Sequence, residues 1–139
     1  MRERTILDAG PLVALLKKDE WDHAWAIALM SEIPPPYYTC EAVMAEASHL
    51  VRRVAGGPQR VIDLVSRGVV VVPFRLQDEA GLIQELMGRY ADVPMSLADA
   101  CLVRMTEQHE ESVIVTTDSD FRIYRRNGRQ EIPLLTPQR

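Results

Sequence analysis

Apolar residues in this chain come in short runs, separated by longer stretches in which they recur every three or four positions. Residues 5–7 form one run that stops at Asp8, and Pro11, at an early helical position, opens PLVALLKK as a helix. From 21 to 31 the spacing of Trp21, Ala24, Trp25, Ala28 and Leu29 places them on one face of a second helix. Three prolines at 34–36 precede Tyr37-Tyr38, a very short strand, and Thr39 can N-cap the helix that follows. That helix, within CEAVMAEASHLVRRV, offers Val43, Ala47, Leu50, Val51 and Val54 as its core face. A helix over about 58–66 leads through Gly68 to VVVVPF, which reads as a strand. Leu82, Ile83, Leu86 and Tyr90 mark another amphipathic helix. Ser96 caps one running from 97 to about 107, and 112–115 is the next buried strand. DFRIY is expected to be a short helix or turn, and 132–135 an edge strand.

Strands alternating with helices favour an α/β fold with a parallel sheet covered on both faces. In such sheets ligands bind beyond the carboxyl ends of the strands. The 139 residues, 47% hydrophobic and 26% charged, suit one globular domain spanning 1–139, with the triple proline and Gly56-Gly57-Pro58 as internal turns. A net charge of −4 rules out a global basic field for nucleic acid. Arginine supplies most of the positive charge, and Arg122, Arg125, Arg126, Arg129 and Arg139 form a local cationic tail that either steers a polyanion or is ordinary surface. Cys40 and Cys101 have neither zinc nor disulfide-framework spacing and read as small buried residues. The opening MRERTILDAGPLVALLKK only imitates a leader, because Asp8 and Pro11 break its apolar core. No stretch reaches the roughly 18 apolar residues of a membrane span, so a cytoplasmic protein with no membrane association is expected.

The sheet-rim rule directs attention to acids. Asp8 ends the first strand, and Asp118 follows the strand at 112–115 in VIVTTDSDFRIY. Glu46 falls about 40° outside the apolar stripe of its helix, at the edge of a buried face. Asp99 sits in the first turn of SLADACLVRM, with Leu102 and Val103 three and four residues on. Each acid also has a plainer role: Asp99 in an acidic capping arrangement, Asp118 or Asp120 capping the DFRIY turn, Glu46 pairing with Arg53 or Lys18, Asp8 as a turn residue. Converging without a counter-ion, each close pair would repel by about 1–4 kcal/mol. A hard divalent cation with oxygen ligands removes that cost, and metal-assisted phosphodiester cleavage is the chemistry that uses an all-carboxylate cluster.

In order along the chain, ILDAGPLVALL, TCEAVMAEASHLV, SLADACLVRM and VIVTTDSDFRIY resemble the four acidic motifs of the PIN-domain nucleases, and among them the VapC-type toxins of toxin–antitoxin pairs. The resemblance implies a three-layer α/β/α sandwich around a short parallel sheet. It implies that Asp8, Glu46, Asp99 and Asp118 form a catalytic, metal-binding quartet for one or two Mg²⁺ or Mn²⁺ ions. Thr116 would orient the site, Asp120 would be an auxiliary acid, and Arg104 and Arg122 are candidate phosphate contacts. The implied activity is endoribonuclease cleavage of an RNA substrate to 5′-phosphate and 3′-hydroxyl ends, in a homodimer restrained by a cognate antitoxin. Trp21 and Trp25 either line a groove for that antitoxin or belong to the core. One departure is visible: many relatives place threonine or serine after the first aspartate, where this chain has Ala9-Gly10.

Two other hydrolase-like readings fail on length and residues. A dehalogenase-type phosphatase needs far more chain after its Asp-x-Asp than the stretch following Asp118, and a receiver domain needs an adjacent acidic pair after its first strand. The alternative that survives is a PIN-like module that binds RNA or protein without cutting.

Overall fold

The computed structural model describes residues 3–138. Its core is a five-stranded parallel sheet built from β1 (Arg4–Leu7), β2 (Tyr37–Tyr38), β3 (Val70–Val71), β4 (Ser112–Val115) and, at the far edge, β7 (Leu134–Leu135), in the order β3-β2-β1-β4-β7. The central strands β1 and β4 are buried along nearly their whole length, which is why their apolar residues, Ile6-Leu7 and 113–115, are consecutive and not alternating. They pair in parallel with Arg4 opposite Ser112 and Leu7 opposite Val115.

Six helices cover the sheet: α1 (Ala9–Leu16), α2 (His23–Glu32), α3 (Glu41–Leu50), α4 (Gly57–Ser66), α5 (Leu76–Arg89) and α6 (Leu97–Gln108). The chain steps outward from β1 to β2 to β3 with α1–α4 packed on one another, then returns to β4 through α5 and α6, which form their own pair. Right-handed crossovers in both directions put these two groups on opposite faces. This is the α/β/α sandwich expected. A 3₁₀ turn (Ser119–Arg122) follows β4, and an antiparallel hairpin of β5 (Arg125–Arg126) and β6 (Gln130–Glu131) leads to β7. Asn127 and Gly128, both at positive φ, make its turn, as suits an Asn-Gly pair between two strands.

Several local expectations are corrected. The helix expected at 21–31 starts at His23, leaving Trp21 84% exposed, and it packs through Trp25, Ala26, Leu29 and Met30 instead of Ala24 and Ala28. In α3 the inward face is Val43, Met44 and Ala47, followed by Val51; Leu50 is exposed because the helix ends there and the chain turns. VVVVPF contributes only Val70 and Val71 to the sheet, since its partner β2 is itself two residues long. In α5, Ile83 and Leu86 are buried and Leu82 is not. Gly68, at φ +75°, takes the left-handed position that ends α4 and admits the turn into β3.

Thr39 does not cap α3. That helix is preceded by Cys40, without a side-chain cap, and the fully buried Thr39 donates its hydroxyl to the carbonyl oxygen of Leu7 at 2.7 Å. The bond ties the end of β2 to the end of β1, just before Asp8. Thr39→Val should therefore destabilise the fold by about 1–3 kcal/mol, the cost of a buried carbonyl losing its partner. Thr39→Ser, which keeps the hydroxyl, should cost less; denaturant unfolding of the two variants separates the hydroxyl from the methyl group.

Candidate active site

Parallel pairing of β1 and β4 brings their carboxyl ends side by side, and the chain leaves each through an acid. Asp8 is the N-cap of α1: its Oδ1 accepts from the Ala9 N–H at 2.8 Å. Its Oδ2 accepts the hydroxyl of Thr116 at 2.6 Å, across the two strand ends. Thr116 is fully buried, and its oxygen in turn accepts the Asp118 N–H at 2.9 Å. Asp118 caps the 3₁₀ turn, accepting the Asp120 N–H on Oδ1 at 2.9 Å. One hydroxyl thus fixes the carboxylate of one strand and the backbone leading to the carboxylate of the next.

Asp99 arrives from the opposite face. Ser96 caps α6 by accepting the Asp99 N–H at 3.0 Å, as its sequence predicts. The buried Asp99 carboxylate receives the Tyr124 hydroxyl on Oδ2 at 2.8 Å. Tyr124 is itself locked by edge-to-face contacts with Tyr90 and Phe121, at centroid distances of 5.1 and 5.3 Å. Burial and the Asp99 carboxylate push the Tyr124 phenol well above its ordinary range, so it stays a donor. Glu46, on the exposed side of α3, makes neither of the ion pairs considered for it among the described residues.

The four acids feel one another. Burial pushes Asp8 up to about 6, against lowering by the Thr116 and Ala9 bonds, and the charges of Asp99 and Glu46 add to the rise. Glu46 is raised by burial and by Asp99 and Asp118. Asp99 is raised by burial first, with Asp118 contributing, against the Tyr124 bond. The structure therefore brings Asp8, Glu46, Asp99 and Asp118 into one electrostatic neighbourhood. Among the described residues, no three Asp, Glu, His or Cys side chains already stand close enough to hold an ion. The donor set nonetheless fits a hard cation: carboxylate oxygens only, mutually repelling.

The PIN-domain family model matches residues 5–127. The chain belongs to the PIN-domain family. The structure of the Mycobacterium tuberculosis VapC20 toxin, described as cleaving the sarcin–ricin loop, superposes with a TM-score of 0.71 at 20% identity, covering 84% of this chain and 91% of that one. At that identity the likeness speaks for the fold. None of the curated proteins compared matches this chain.

Two expectations for this PIN domain change on inspection. Arg104 is not poised for phosphate: its Nε lies 2.5 Å from Glu79 Oε1 and its Nη1 3.3 Å from Glu107 Oε1, so it ties α5 to α6. Of the cationic tail, Arg125 turns back onto the carbonyls of residues 122–124, and the buried Arg126 donates to the Glu110 carbonyl. Arg139 lies outside the described residues. Arg122, four residues after Asp118, stays exposed and is bonded to Thr136 Oγ1 at 3.1 Å. Cys40 and Cys101 are buried as expected, and although distant in sequence their thiols are neighbours.

Sequence reasoning missed Tyr124 and Thr117. Tyr124 closes the quoted motif VIVTTDSDFRIY, but nothing in its spacing pairs it with Asp99. Thr117 answers the departure after Asp8: a Cβ built on Gly10 would stand 2.1 Å from Thr117 Oγ1. The second threonine of the motif takes the space that a side chain at position 10 would fill. Gly10→Ala should cost about 1–3 kcal/mol by overpacking. Combining it with Thr117→Ala should recover most of that loss, a coupling that a double-mutant cycle in urea reads directly.

The raised carboxyls also set a pH dependence. Asp8 titrates near 6 when folded and near 3.8 otherwise, so between those values the folded state binds more protons than the unfolded one. Its contribution is most favourable below about pH 4 and is lost as the pH rises through 6, by up to about 3 kcal/mol. With EDTA present, the stability of Asp8→Asn relative to the parent should therefore increase from pH 4 to pH 7. A stability difference that is flat over this range would show that Asp8 is not held in this buried setting.

Proposed function

We propose that this PIN domain is a divalent-cation-dependent endoribonuclease acting as the toxin of a toxin–antitoxin pair. What carries the reading is that four acids on four separate segments act electrostatically on one another, two of them directly after the paired strands β1 and β4. Membership of the PIN family supports it, as does the shared fold with VapC20, a toxin that cleaves RNA at the sarcin–ricin loop.

In this reading Asp8, Asp99 and Asp118 hold one or two Mg²⁺ or Mn²⁺ ions, with Glu46 as a further ligand. Such an ion supplies a nucleophile at neutral pH and offsets charge developing on the phosphate. Thr116 keeps Asp8 in place, Tyr124 keeps Asp99 in place, and Asp120 is auxiliary, its N–H fixing Asp118. Arg122, exposed in the 3₁₀ turn that Asp118 caps, contacts the RNA backbone. The products carry 5′-phosphate and 3′-hydroxyl ends. The whole chain acts as one domain, in a cytoplasmic homodimer held inactive by its antitoxin, and the exposed Trp21 suits a partner contact better than a core role. No helix among the described residues is long and apolar enough to cross a membrane. The non-cutting alternative rested on the hydroxyl missing after Asp8; Asp8 has a hydroxyl partner all the same in Thr116.

The test needs no knowledge of the RNA at first. Thermal unfolding of partner-free protein in EDTA and in Mn²⁺ should differ, a cation at about 100 times its dissociation constant adding roughly 2.7 kcal/mol. Asp8→Asn/Asp99→Asn should lose that gain while melting higher in EDTA, its repulsion relieved. Cleavage of total RNA should then depend on Mn²⁺ and vanish in the double variant. RNA that is bound but never cut would move the protein to the non-cutting class.

A further inference from the structure

A second charged feature lies away from the acids. A cleft of about 700 Å³ opens between the ends of α1, α3 and α4, and five cations line it: Lys17, Lys18, Arg52, Arg53 and Arg60. These include both lysines of a chain whose net charge is −4. Asp19 is the only acid on its wall. Elsewhere the arginines that pair do so with carboxylates: Arg67 with Asp63, Arg75 with Asp78, Arg104 with Glu79 and Glu107. Among the described residues, none of the five cleft cations forms such an ion pair. Arg52 is held by the His49 carbonyl at 2.9 Å; Lys18, Arg53 and Arg60 extend into solvent.

Helix capping accounts for some of this charge and not all of it. Lys17 follows the C-terminus of α1, and Arg52 and Arg53 follow that of α3, where a cation meets the negative end of the helix dipole. Arg60 stands near the N-terminus of α4, the end that disfavours a cation. Cations gathered where one of them opposes its own helix call for an anion from outside.

Placement names the anion. α1 begins at Asp8 and, over eight residues or about 12 Å, ends at Lys17. α3 carries Glu46 one turn before its last residue, Leu50, and Arg52 and Arg53 follow in the turn that ends it. Of two packed helices, α1 thus starts at an acid of the candidate site and α3 carries another at mid-length, and both lead at their C-terminal ends into cleft cations. The geometry points to a remote anchor for the RNA backbone: phosphates a few nucleotides from the bond to be cut lie in the cleft of Lys17, Lys18, Arg52, Arg53 and Arg60. This rests on the ribonuclease reading and extends it. An acidic cluster repels its polyanionic substrate until a cation is bound, and a cationic cleft on the same helices offsets that repulsion at encounter. Guanidinium forks and ammonium groups both suit phosphate oxygens.

The anchor is tested in the non-cutting Asp8→Asn/Asp99→Asn background, with and without Lys18→Gln/Arg53→Gln/Arg60→Gln. These three side chains are exposed, and an unchanged melting temperature verifies the fold. Binding of a labelled mixed-sequence single strand of about 20 nucleotides is followed by anisotropy over a salt series. Three lost phosphate contacts should reduce the slope of log K against log salt by about 2. RNA binding with an unaltered slope would overturn the anchor while leaving the ribonuclease reading to its own cleavage assay, and would give the cleft to an acidic protein partner. No RNA binding even in the parent background would bring down both.

Discussion

The alignment of two strand ends governs this molecule. β1 and β4 are more than a hundred residues apart in sequence, yet they pair so that Leu7 lies opposite Val115, and the next residue on each side enters the same small space. The Thr116 hydroxyl gives that juxtaposition a chemical form, donating to Asp8 and accepting from the backbone of Asp118. A register slip of one residue would turn Thr116 away from Asp8 and part the two strand ends. The Thr39 bond to the Leu7 carbonyl secures the neighbouring strand end in the same way. The rim is thus fastened by hydroxyls, which hold backbone and carboxylate together without adding charge of their own.

Charge on this fold is sorted along the helices. Acids crowd the carboxyl edge of the sheet, where burial and mutual repulsion raise Asp8, Glu46 and Asp99 together. Cations without acidic partners crowd the distal ends of α1 and α3. Each group is unfavourable alone, and each is relieved by a ligand of opposite sign: a hard cation in one case, a polyanion in the other. A phosphodiester chain with its divalent counter-ions carries both. The protein is therefore least comfortable electrostatically when it is empty, which is the condition for ligand binding to stabilise the fold.

How much of this the chain announced depends on the range of the interaction. The central strands and α6 were legible because their signals are local: consecutive apolar residues for β1 and β4, and a serine three residues before Asp99 for the helix. The four acids were legible because each lies at the end or edge of such an element. Other features are set by tertiary contact. Thr39 looked like a cap because threonine before a helix usually is one, but the carbonyl of Leu7 competes for its hydroxyl and wins. The inward face of α2 is set by packing against its neighbours, which buries Ala26 and takes in Met30 while leaving Ala24 and Ala28 exposed. Tyr124 on Asp99, Thr117 beside Gly10 and the thiol contact of Cys40 with Cys101 all join segments far apart in the chain, and no periodicity encodes them.

The plain roles weighed for the acids turn out to be compatible with the chemical one. Asp8 does cap α1, Asp99 does lie in the first turn of α6, and Asp118 does cap the 3₁₀ turn. The N-terminal end of a helix is where backbone N–H groups and the helix dipole best tolerate a carboxylate. Placing three acids there lowers the cost of bringing them together before any cation arrives. It also explains the choice of side chain. Aspartate is short enough to bond the N–H groups of its own turn while presenting its remaining oxygen lone pairs outward. Glu46 stands in the middle of α3 with no free N–H to cap, and must reach the rim from the side. The longer side chain sits at the one position where capping cannot hold the acid and reach is required.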